Sequence, residues 1–313
     1  MRTLGILLLS SCAWGQQWMG HSSGYVYFGF TGFGQPGGPN IFTTALSSDG
    51  ITWENSGGSW SDYVTKPASG TREPYQINAP DMMYLSGTIY VHVATANDEN
   101  LDLVPWIVAT ADPTTGQLTT IASVDWSSAI PGLTSCYAGG WARNSDGTVY
   151  QGDGFIHLHV PCSVGNLSSF KIYETHADPS DLTSWSAPVD IQVAQSDTID
   201  PQAYLISGTY FLWCKQDSSD FVTLASSSSI TGPFTMLKTG DWAGWGSGNE
   251  GPFMYRPPNG IGWYLMFEHH VSTHLMYYAT CSTDDPSACT WSGKTLWTED
   301  LVYRHGAVMK LNP

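Results

Sequence analysis

Residues 198–214 read TIDPQAYLISGTYFLWC: an acid and a proline, a short apolar run, a Ser-Gly turn, then a second strand rich in aromatic residues. The same order recurs in residues 78–93, NAPDMMYLSGTIYVHV, and in residues 249–267, NEGPFMYRPPNGIGWYLMF. Runs of four to eight β-branched and aromatic residues bounded by Gly, Pro, Asp or Ser are strand signals. Helical periodicity is absent along the chain. GYVYFGF and GFIHLHVPC add further strands of the same type.

A second pattern follows most of these strand pairs, with small polar residues and an Asp ahead of a Trp. SSDGITW ends at Trp53, HADPSDLTSW at Trp185 and STDDPSACTW at Trp291, with TADPTTGQLTT and SSSSITGPF as looser copies. Five copies of a strand–strand–turn–strand unit thus recur about 50 to 60 residues apart. A period of that size with about four strands per unit points to an all-β fold, a five-bladed β-propeller. Asp81, Trp141, Asp200, Glu250 and His305 stand 60, 59, 50 and 55 residues apart, each in a short motif (APD, WAR, IDP, EGP, RHG). Each motif is expected on the innermost strand of a blade, facing the axis. The chain ends one strand after the last motif, while GYVYFGF, NIFTTALSS and ITWENS precede the first. The simplest closure pairs the C-terminal strand with the N-terminal strands, which also removes a free sheet edge.

Composition narrows the function. The chain of 313 residues carries a net charge of −16 with only 11 Lys plus Arg. Phosphate backbones and anionic membranes both demand clustered cations, so neither nucleic acid nor a membrane is an expected partner. GFTGFGQPGGPN is rich in Gly but lacks the lysine of a phosphate-binding loop. The first residues, MRTLGILLLSSCAWG, read as a secretory signal peptide of residues 1–15, with residues 16–313 as one catalytic propeller. The product is then secreted and extracellular. Cys281 with Cys289, and Cys136 with Cys162, are the expected disulfides, with Cys214 buried and free. Asn166 in NLS is a glycosylation sequon.

Motif order resembles that of the five-bladed glycoside hydrolases of family 43 and their clan. IDP at Ile199–Pro201 and EGP at Glu250–Pro252 match well, WA at Trp141 matches in part, and APD inverts the Asp-Pro order that the family uses. The resemblance implies an inverting glycosidase acting on arabinofuranosyl, xylosyl or galactosyl linkages of plant-type carbohydrate. It makes Glu250 the general acid, Asp81 the general base and Asp200 the residue that raises the pKa of Glu250 and orients it. Inversion asks for that acid and base roughly 6.5–9.5 Å apart, with a water between base and sugar. Trp141, Arg143, Arg304, His305 and Trp245 are the expected substrate contacts. His305 is also where relatives hold calcium through water; no cofactor is required otherwise, and no residue is assigned as a metal ligand. His157 and His159 share a strand face and are expected to line a blade interface or the channel, and Glu268 and His270 share a face likewise. The partner is a neutral carbohydrate and the chain a monomer. A carbohydrate-binding propeller without catalysis is the alternative, since fold does not fix function. A retaining fructosidase would carry Asn-Asp-Pro and Glu-Cys motifs, and neither occurs.

Overall fold

The computed structural model describes residues 24–31, 41–60, 64–65, 76–96, 106–112, 117–137, 139–166, 169–271, 275–297 and 304–310. The proposed leader, residues 1–15, lies outside them. The described residues form strands and no α-helix, grouped into five sheets. The architecture is a five-bladed β-propeller.

The first blade runs outward from Gln76–Leu85 through Thr88–Ala96 and Trp106–Ala111 to Leu118–Val124, with Val64–Thr65 on its edge. The second is built on Gly140–Trp141, Ile156–Val164, Phe170–Ala177 and Val189–Asp190. The third runs from Thr198–Ile206 through Thr209–Gln216 and Phe221–Ser227 to Thr235–Lys238. The fourth runs from Asn249–Tyr255 through Trp263–His269 and Leu275–Cys281 to Thr295–Leu296. Closure falls in the fifth, where Arg304–Lys310 pairs antiparallel with Tyr25–Thr31, followed by Ile41–Ser47 and Glu54–Trp60. All five axial motifs therefore begin or occupy innermost strands, as their spacing implies.

The Asp-to-Trp segments have a mechanical role. Asp49 accepts from the amides of Ile51 and Thr52, Asp178 from Ser180, and Asp285 from Ser287, so each Asp closes a tight turn. The turn throws its Trp against the preceding blade. Trp53 meets Trp297 at 5.0 Å, Trp185 meets Trp106 at 5.4 Å and Trp291 meets Trp213 at 5.5 Å. Burying such a ring contributes roughly 5 kcal/mol before conformational entropy is subtracted. These rings join blades that share few backbone bonds. Cys136–Cys162 and Cys281–Cys289 are both bonded, and Cys214 is a buried free thiol.

Candidate active site

Three innermost strands carry the same irregularity near their start. Pairing slips between Asn78 and Asp81, between Ile199 and Gln202, and between Glu250 and Phe253. The residues left over are Ala79-Pro80, Asp200-Pro201 and Gly251-Pro252. Proline has no N–H to give the ladder, so it is tolerated at a bulge. Each residue before the proline has a positive φ, 43° at Ala79, 52° at Asp200 and 59° at Gly251. The bulges turn these residues toward the axis. His305 is the extra residue of a fourth bulge, between Arg304 and Gly306. At Gly251 a side chain is excluded, because an added Cβ would lie 2.7 Å from the His305 ring.

When the prolines are superposed by register, the three acids occupy different places in the motif. Asp200 stands before its proline, Glu250 two residues before, and Asp81 one after, in the place of Gln202 and Phe253. Sequence spacing alone made them equivalent; the bulges separate them. One narrow axial recess is lined by Asp81, Asp200, Gln202, His305 and the bulge backbone. Glu250 stands behind His305.

Glu250 is held by two cations. Its Oε1 lies 2.9 Å from His305 Nε2, and its Oε2 accepts from Lys215 Nζ at 2.9 Å. Lys215 also pairs with Asp217 and Asp220, each at 2.9 Å, and His270 reaches Asp220 at 3.1 Å. Glu268, fully buried and directly opposite Glu250 in the sheet, accepts from the His305 amide at 3.2 Å. Asp200 Oδ2 accepts from the Gly251 amide at 2.9 Å and stands 3.9 Å from His305 Nε2.

This arrangement reverses one expectation. Asp200 was to lift the pKa of Glu250. Burial does push Glu250 upward, but His305 and then Lys215 outweigh it and hold its carboxyl well below the usual range. Burial lifts Asp200 instead, helped by the Glu250 charge and opposed by His305. Burial also drags on His305, yet Asp200, Glu250 and Glu268 together push it up to about 9. Both directions favour a charged His305 beside an ionised Glu250. A group whose pKa rises on folding stabilises the fold below its unfolded value and loses that contribution as pH climbs through the folded one. Thermal stability is expected to fall between pH 6.5 and 9 through His305, and His305→Gln should flatten that limb in melting curves.

Asp81 faces the recess from the other side. Its Oδ1 takes the Met82 amide at 2.7 Å and the Arg143 guanidinium at 2.5 Å; its Oδ2 takes the Trp141 amide at 2.7 Å and Gln202 Nε2 at a longer 3.4 Å. Burial raises its pKa against the pull of Arg143. Three expected sugar contacts are corrected by their burial. Trp141 and Arg143 are 0% and 1% exposed, the first packed in the core and the second spent on Asp81. Trp245 is 5% exposed and stacks on Phe267 at 4.9 Å, with its indole N–H on the Ser292 carbonyl. The side chain of Arg304 lies outside the described ones. Lys215 and Glu268 were missed as site residues; the available signal was a lysine, one of 11 cations, closing the apolar strand YFLWCK.

Asp200, Glu250 and His305 could converge on a cation. Calcium takes six to eight oxygens, and here two carboxylates already answer to Lys215 and His305, so the set fits calcium poorly. A second group, His157, Glu174 and His176, lies in the second blade.

Over residues 168–312 the chain matches a family profile described as a probable glycosyl hydrolase domain. A thermostable family-43 glycoside hydrolase superposes with a TM-score of 0.59 at 12% identity, covering 91% of this chain and 93% of that one. A GH43_1 enzyme from Xanthomonas citri complexed with xylotriose gives 0.57 at 14% identity, covering 89% and 88%. An endo-arabinase from Bacteroides thetaiotaomicron gives 0.54 at 15% identity, covering 89% and 91%. No curated protein sequence matches the chain.

Proposed function

We propose that this chain is a glycosidase of the family-43 type and that its axial recess cleaves pentosyl or related linkages of neutral plant-type carbohydrate with inversion. The carrying observation is His305 Nε2 held 2.9 Å from Glu250 Oε1 on one side of the recess, with an Asp81 paired to Arg143 on the other. Glu250 and His305 act as one proton-donating pair. The leaving oxygen takes the proton that the pair shares as the bond to the anomeric carbon breaks. A water forms the new bond from the opposite face and gives its proton to Asp81 Oδ2, the oxygen whose second contact is the long one to Gln202. Arg143 opposes the upward pull of burial on Asp81 and favours its ionised form. Asp200 fixes the Gly251 bulge and holds His305 charged.

Xylosyl and arabinosyl substrates are favoured by two structural neighbours, a xylotriose complex and an endo-arabinase, and the net negative charge suits a neutral ligand. Export is part of the same reading. Two disulfides favour an oxidising compartment, Asn166 is exposed for glycosylation, and the leader has secretory character. The test is proton NMR of the sugar as it is released from aryl xylosides and arabinofuranosides. The first-formed anomer should be inverted. Retention would remove Asp81 from the role of base, because a retaining pair works through a glycosyl-enzyme with closer carboxylates.

A further inference from the structure

Away from the axis, the second blade sets His157 directly opposite His176, and His159 directly opposite Glu174. Residues two apart on a strand share a face, so His-Leu-His on one strand and Glu-Thr-His on the next place four polar side chains on a single patch. We propose that His157, Glu174 and His176 form a binding site for a divalent transition metal ion, with zinc as the fitting class.

Donor positions match. Glu174 Oε1 lies 2.7 Å from His157 Nδ1 and 3.1 Å from His176 Nδ1, and one donor atom from each residue falls within 4.8 Å of the others. A zinc ion 2.0–2.1 Å from each ligand needs donors about 3.3 Å apart, an opening of a few tenths of an ångström. Two imidazoles and a carboxylate are a zinc-type set, and Ser186 Oγ, 3.3 Å from His176 Nδ1, adds a nearby oxygen. The far nitrogen of His157 is held by both oxygens of Asp153, at 3.0 Å each. A carboxylate behind a histidine fixes its tautomer and orients its other nitrogen toward a metal.

Hydrogen bonding alone leaves a residue unexplained. A His157 cation between Asp153 and Glu174 would account for Oε1. It does not account for Glu174 Oε2, which is buried in a fully enclosed side chain and has no hydrogen-bond partner among the described residues. A bare buried acceptor costs about 1–3 kcal/mol, and an ion bridging both carboxylate oxygens removes that cost. Access is open, because the His176 side chain is 34% exposed beside Phe155.

The full chain, stripped with a chelator, should bind one equivalent of zinc in calorimetric titration and give a four- or five-coordinate visible spectrum with cobalt(II). His176→Ala should weaken zinc binding at least 100-fold, and Asp153→Ala about 10–100-fold. Glu174→Gln should act like His176→Ala. If that buried variant does not fold, the partly exposed His176 still carries the test. His305→Gln should bind zinc as wild type does. Absence of stoichiometric binding, wild-type affinity in His176→Ala, or loss of binding in His305→Gln, which would locate the ion at the axis, would each overturn the proposal.

Discussion

Glu250→Gln is expected to lower turnover of unactivated glycosides by about 10²–10⁴-fold, the usual contribution of a positioned acid. The amide carries no negative charge to hold the proton on His305, so the donor pair is lost. Nor can it answer two cations, since its NH₂ would face either His305 or Lys215, both 2.9 Å from the present carboxylate. Aryl glycosides with good leaving groups need little protonation and should lose far less. Near-ultraviolet circular dichroism and melting curves separate this chemical loss from unfolding, because removing one partner of a buried charge pair also costs stability. Equal loss on both substrate classes would deny Glu250 any part in protonation.

Arg143→Met should destabilise the fold by about 3–5 kcal/mol, the penalty for leaving a buried charge without its partner. Asp81 and Arg143 are each about 1% exposed. The guanidinium also donates to the Met82 and Gly147 carbonyls at 2.6 and 3.2 Å and lies over the Phe253 ring at 5.0 Å. Its backbone pairs with the third blade at Tyr204. One side chain thus touches the first, second and fourth blades while its strand touches the third. Urea denaturation measures the loss. The double variant Asp81→Asn, Arg143→Met should lose less than the two single losses added together, because neither charge is then stranded. Full additivity, or a single loss under about 1 kcal/mol, would mean that the pair does not anchor the axis.

Blade architecture was readable from residues 78–93, 198–214 and 249–267 because its causes are local. Alternation along a strand, Gly at the turn and Asp closing the outer turn each act over a few residues, and their repetition gives the period. Closure followed from one surplus strand at the C-terminus, Cys281–Cys289 from the short loop that they flank, and Cys136–Cys162 from the hairpin region between them. The axial motifs were readable as a set because they recur at the blade period; in three of them a proline accompanies a bulge.

Charge state and exposure were decided by tertiary structure. Lys215 lies 35 residues before Glu250 and His305 lies 55 after it; only blade packing brings both to 2.9 Å, and in a buried site those two cations outweigh Asp200. Glu268 enters through sheet register, opposite Glu250. Trp141 and Trp245 were expected to contact sugar, yet whether an indole faces a cleft or a neighbouring blade depends on surfaces that meet only in the closed ring. Sequence by itself determined strands, period, closure and the motifs that start the innermost strands, since those follow from short-range sterics and hydrogen bonding. Which of them holds the proton was left to long-range electrostatics, a sum over residues that only the fold makes neighbours.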